Sequence, residues 1–132
     1  KNNWNVIILQ LMEKWQIDFE WLRIKHFIKD QIGRTELPDM NAILFLIGIQ
    51  ELGKGSIGKF TKEEKRDLMH IASCRLLSQE GYYEFKGLDH EGWPHYEQLK
   101  PFPIKGVDEQ EDFLKSQIIK YFTSSYPAIF EN

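Results

Sequence analysis

A chain of 132 residues with 17 Lys and Arg against 20 Asp and Glu, 42% hydrophobic and 14% aromatic, has the size and composition of one compact globular domain. A single cysteine, Cys74, excludes an intramolecular disulfide and a cysteine-based zinc finger and fits a reducing compartment, so a cytoplasmic location is expected. The formal charge of −3 argues against a broad basic surface for nucleic acid. The longest apolar run, Ala42 to Ile49, is too short to span a bilayer, so no membrane insertion is expected.

In chain order, Trp4, Ile7, Ile8, Leu11 and Trp15 recur at helical spacing and predict a first amphipathic helix. Val6 and Leu9 fall off that stripe, which leaves apolar surface for a second covering element or a partner. The apolar stretch Val6 to Leu9 is too short for a secretory signal. Gln16 to Phe19 reads as a break with Asp18 as the next N-cap. A second helix then carries Trp21, Ile24, Ile28 and Ile32 and stops at Gly33, so that residues 1–35 form a helical hairpin.

Leu37-Pro38-Asp39 opens a third helix with Pro38 in its first turn. Nearly every position from Met40 to Leu52 is apolar, which predicts a helix enclosed by protein at the centre of the domain. Gly48 inside it implies a close helix crossing. Gly53 to Gly58 has the glycine spacing of a phosphate loop, but Phe60 stands where the hydroxyl residue is required, and the segment reads as a plain connection.

Thr61-Lys62-Glu63-Glu64 is a capping box opening a fourth helix that buries Leu68, Ile71, Ala72 and Leu76 and ends near Glu80 and Gly81. Residues 82–100 read as a β-hairpin turned at Asp89-His90-Glu91-Gly92, with Glu84 opposite Glu97, Phe85 opposite Tyr96, Lys86 opposite His95 and Leu88 opposite Trp93. That register turns Tyr83, Phe85, Pro94 and Tyr96 toward the core. A fifth helix over 108–123 is capped by Asp108 and carries Leu114, Ile118, Tyr121 and Phe122. The fold class is therefore mainly α with an α+β element: about five helices around a central apolar helix, in a single domain 1–132, with the hairpin between helices four and five.

Chemistry-bearing residues concentrate in the hairpin. Glu84, His95 and Glu97 are candidate metal ligands or an acid and base pair, against the plainer reading of a wet hairpin face. His70 and Cys74 share a helix face, but a thiol nucleophile also needs an oriented base and an oxyanion site, so Cys74 reads as a small core residue. Trp93, with Tyr82 and Leu88 near it, falls on the face opposite the core-facing aromatics and is the leading candidate for a recognition hot spot, with Trp4 a second.

The run Leu76-Leu77-Ser78-Gln79-Glu80-Gly81-Tyr82-Tyr83, followed by a hairpin with Asp89 to Gly92 at its tip, resembles the end of a winged-helix domain, where a recognition helix leads into a wing. The resemblance implies a nucleic-acid regulator, yet the recognition helix is neutral over residues 61–81 and the wing carries −2 over 82–100. Leu37-Pro38-Asp39-Met40-Asn41-Ala42-Ile43-Leu44-Phe45 and Gly81-Tyr82-Tyr83-Glu84-Phe85, with Asp89 and Gly92-Trp93-Pro94-His95-Tyr96, also resemble a small bacterial family of the Bacteroidetes type. That likeness implies a bacterial cytoplasmic origin and brings no activity with it.

Three functions follow as expectations. The first is a non-enzymatic accessory protein binding another protein or a second copy of itself; the others are a winged-helix-like regulator and a small metal-dependent enzyme using the hairpin cluster. No cofactor is expected.

Overall fold

The computed structural model describes residues 4–53 and 59–130. Among these residues are four α-helices, one two-stranded antiparallel hairpin and a closing 3-10 turn at Pro127–Phe130. The expected mainly helical class with a hairpin holds, with one helix fewer than anticipated. Backbone proximity groups the chain into two compact units, 1–37 with 108–132, and 38–107.

In the first unit, α1 runs unbroken over Trp4–Ile32, so the expected hairpin of two short helices is a single helix of 29 residues. No glycine or proline interrupts the segment. Asp18 is not a cap but an interior residue one turn beyond Lys14, whose ammonium lies 3.9 Å away. Helix α1 ends at Gly33 in the left-handed region (φ 69°), where the Arg34 N–H donates to the Lys29 carbonyl. The carboxyl-terminal half of α1 buries Trp21, Ile24 and Ile28, while Ile32, expected on the same stripe, is exposed.

Helix α4, Val107–Ser125, begins one residue earlier than expected, which places Asp108 inside the first turn, where its charge complements the helix dipole. Its inward stripe is Gln117, Ile118, Tyr121 and Phe122, with Leu114 half-buried. The Tyr126 ring stacks between Phe27 and Phe122 at centroid distances of 5.9 and 5.6 Å and ties the end of α4 to α1. Lys14 also reaches Asp112 of α4 at 3.9 Å.

In the second unit, α2 (Met40–Leu52) is capped by Asp39, whose carboxylate accepts the Ala42 N–H at 2.8 Å. Pro38 therefore precedes the cap instead of occupying the first turn. Helix α2 is not enclosed all round: Ile43, Leu44, Ile47 and Gly48 are buried, and Asn41 and Gln50 are exposed. Gly53 closes it in the left-handed conformation. Residues 54–58, where the phosphate-loop spacing was considered, lie outside the described residues.

Helix α3, Lys62–Ser78, opens with the expected capping box: the Thr61 hydroxyl accepts the Glu64 N–H at 3.0 Å and the Glu64 carboxylate accepts the Thr61 N–H at 2.8 Å. It buries Leu68, Ile71, Ala72, Cys74 and Leu76, and Gly81 follows in the left-handed region. Strands β1 (Tyr83–Leu88) and β2 (Pro94–Gln98) then pair antiparallel.

Candidate functional site

The hairpin register decides which side chains meet. Tyr83 pairs with Gln98, Glu84 with Glu97 and Phe85 with Tyr96, as expected from the turn, but Gly87 then opposes His95 and Leu88 opposes Pro94. Lys86 is thus the extra residue of a β-bulge, made possible by Gly87 at φ 121°. The expected pairs Lys86 with His95 and Leu88 with Trp93 do not form. Because side chains alternate along a strand, the extra residue moves Leu88 to the face of Phe85, Pro94 and Tyr96, away from Trp93.

The bulge breaks up the expected Glu84, His95, Glu97 cluster. The Lys86 ammonium lies between the two glutamates, 2.7 Å from Glu84 and 3.2 Å from Glu97, and this double ion pair raises its pKa. His95 points instead to Asp89, Nε2 to Oδ2 at 3.0 Å. Among the described residues no group of three or more His, Cys, Asp or Glu side chains is disposed to hold a metal.

Asp89 organises the turn. One carboxylate oxygen accepts the N–H groups of Glu91 at 2.9 Å and Trp93 at 3.0 Å, and the other meets His95. The Trp93 N–H bond is the main cause, and the His95 contact the next, that pull the Asp89 carboxyl down to about 2. The Asp89 N–H donates to the Trp93 carbonyl and the Gly92 N–H to the Asp89 carbonyl, so the expected four-residue turn is present.

The turn folds over one face of α3 and leaves a cleft of about 450 Å³ between them. Glu64, Asp67, His70 and Cys74, each three or four residues from the next, supply the helical wall together with Ile71. Asp89, Glu91, Trp93 and His95 supply the opposite wall, and buried Pro94 with half-buried Tyr96 completes the lining. Trp93 is half-buried here against α3. His70 Nε2 approaches Cys74 Sγ at 3.5 Å, but Cys74 is 3% exposed and burial pushes its thiol up to about 11. A protonated, enclosed thiol is no nucleophile at neutral pH.

The remaining interaction candidates are dispersed. Tyr82 is half-buried, stacked edge-on against Phe102 at 5.5 Å with the Lys100 ammonium 4.7 Å from its ring centre. Leu88 is 63% exposed and borders a second hollow beside the Arg75–Glu51 ion pair. Trp4 is 64% exposed in the first turn of α1. Residues that sequence reasoning passed over are Glu64 and Asp67 as cleft groups; their signal was the recurrence of Glu64, Asp67, His70 and Ile71 on one helical face.

No family model, curated protein or solved structure matches this chain.

Proposed function

We propose that this chain is a non-enzymatic interaction protein of the bacterial cytoplasm that associates with a second copy of itself through the amino-terminal half of α1. The supporting observation is that ten large apolar side chains between Trp4 and Leu22 are exposed, Trp15 at 71%. With large aromatics offering roughly 150–250 Å² each, these side chains present on the order of 1,000 Å². That exceeds the largest apolar patch of a typical monomer and matches the roughly 800 Å² that each partner contributes to a standard interface. Trp4 to Met12 contains no charged residue, so two copies can meet there without like-charge repulsion.

Sedimentation of the wild type at about 100 μM tests this, because mass action favours the associated form at such concentration. A dimer or larger species that Trp4→Glu with Trp15→Glu converts to monomer is the expected result. A wild-type chain that stays monomeric refutes the proposal, and a monomer that binds a different protein through α1 assigns the surface to that partner.

A winged-helix-like nucleic-acid regulator is the second reading, favoured by the succession of α2, α3 and hairpin in one unit. The carboxylates between α3 and the hairpin weigh against phosphate there. Salt-dependent binding to random duplex at about 50 mM salt would support it. A metal-dependent enzyme built on Glu84, His95 and Glu97 has less support, since the Lys86 ammonium already lies between the two glutamates and offsets one of their charges, and His95 is turned to Asp89.

A further inference from the structure

Helix α1 carries two apolar stripes on opposite sides. At 3.6 residues per turn, Ile17, Trp21, Ile24 and Ile28 share one side, where Ile17 is half-buried and the other three are buried. Trp4, Ile8, Leu11, Trp15, Phe19 and Leu22 share the other, and all six are exposed, from 46% at Leu22 to 71% at Trp15. The first stripe belongs to the core of its own unit. The second faces solvent, and Val6 and Leu9 lie off it.

The spacing of the exposed stripe points to another helix of the same kind. Trp15 follows Trp4, Phe19 follows Ile8 and Leu22 follows Leu11 by eleven residues, so the same side of the helix returns every three turns. An eleven-residue apolar repeat belongs to helices that wind around one another with a slight right-handed supercoil. From Trp4 to Leu22 the stripe runs about 27 Å, at roughly 1.5 Å per residue.

Charge fixes the direction of the partner. In a parallel, in-register helix pair, a residue on one edge of the stripe meets the residue five positions further along the second copy, on the opposite edge. In α1 that offset joins Ile7 to Met12, Asp18 to Arg23 and Lys25 to Asp30, one apolar pair and two of opposite charge, and lays the Lys14 stem beside Phe19. Asp18, Arg23 and Asp30 also bridge to Lys14, Glu20 and Lys29 within their own helix, so the crossing pairs extend existing ion pairs. An antiparallel pair centred on the same stripe sets the charged Glu13–Arg23 segment of each copy against the uncharged Trp4–Met12 segment of the other and makes neither ion pair.

We infer that two copies of α1 pair in parallel and in register along this stripe, with Trp4, Ile8, Trp15 and Leu22 each meeting its own counterpart. The inference rests on the self-association proposed above and adds a direction and a register to it.

The test uses the full chain with a cysteine introduced near either end of the stripe, Ile8→Cys or Leu22→Cys, both exposed positions outside the core. Under mild oxidation at about 100 μM each variant should form a covalent dimer with itself, because a disulfide needs Cα atoms within about 7 Å. The wild type, whose Cys74 is buried, gives the background. A second arm exchanges the edge charges: Asp18→Arg and Arg23→Asp should each weaken self-association about fivefold at low salt. An equal mixture of the two should recover it, since every crossing contact then joins an arginine to an aspartate. A dimer by sedimentation in which either cysteine variant fails to cross-link, or in which mixing recovers nothing, overturns the parallel register and leaves self-association standing. A wild-type chain that stays monomeric overturns both.

Discussion

Gly48 of α2 lies directly against the backbone of Leu68 in α3. A Cβ added at Gly48 would stand 2.7 Å from the Leu68 carbonyl carbon and 2.9 Å from its Cβ, and closer still to the carbonyl oxygen. Both residues are buried, and their contact sets how closely α2 approaches α3 and hence where the cleft-lining face of α3 is held.

Gly48→Ala should therefore destabilise the protein, although alanine is the better helix former by about 1 kcal/mol. The obstruction is backbone, which no rotamer change relieves, so overpacking should win with a net loss of about 1–3 kcal/mol. Urea denaturation checks this. Truncating the Leu68 side chain in the same chain should give no rescue, because the carbonyl group remains.

The Asp89 carboxyl, drawn down to about 2 from its ordinary 3.8, gives the fold an acid-sensitive element. A depressed carboxyl contributes stability that is fully present above its unfolded pKa and is lost as pH falls through the folded one. The melting temperature of the wild type should fall between pH 4 and 2 more steeply than that of Asp89→Asn, which retains the acceptor oxygen but not the charge. Thermal melts across that range read the difference, and parallel curves would show that the carboxylate charge contributes nothing to folded stability.

Cys74 is 3% exposed and its thiol is pushed up to about 11. At pH 8 only about one molecule in a thousand would carry the thiolate at equilibrium. Iodoacetamide should label the native chain far more slowly than the urea-unfolded chain. Comparable rates in the two states would mean that the thiol is accessible and ionised, and would return His70 and Cys74 to consideration as a reactive pair.

The features legible in the sequence are those built from neighbouring residues. The Thr61–Glu64 capping box, the Asp89 turn and the Glu84–Glu97 pairing nearest the helices each depend on groups a few positions apart, or on simple counting from a turn. Gly48 was legible for a related reason: a glycine in an apolar helix costs propensity, and close approach of another backbone is the usual compensation. Where counting failed, a single residue was responsible. Gly87 accepts a backbone conformation that admits the Lys86 bulge, and every side chain beyond it changes partner. In α1, Gln16 to Phe19 read as a boundary because Asp18 suits an N-cap, but no glycine or proline interrupts the segment and the helix runs through it.

By itself the sequence determined the mainly helical class with a β-hairpin, the Thr61–Glu64 capping box, the Asp89 turn and a lone cysteine suited to the core, since propensity, capping and periodicity act over a turn or two of chain. Only the tertiary structure decided that Lys86 occupies the space between Glu84 and Glu97, that His95 belongs to Asp89, and that Glu64 and Asp67 face Trp93 across a cleft. Those relations join residues up to about thirty positions apart, and they depend on bulge geometry and on the placement of α3 against the hairpin, which no local pattern of residues encodes.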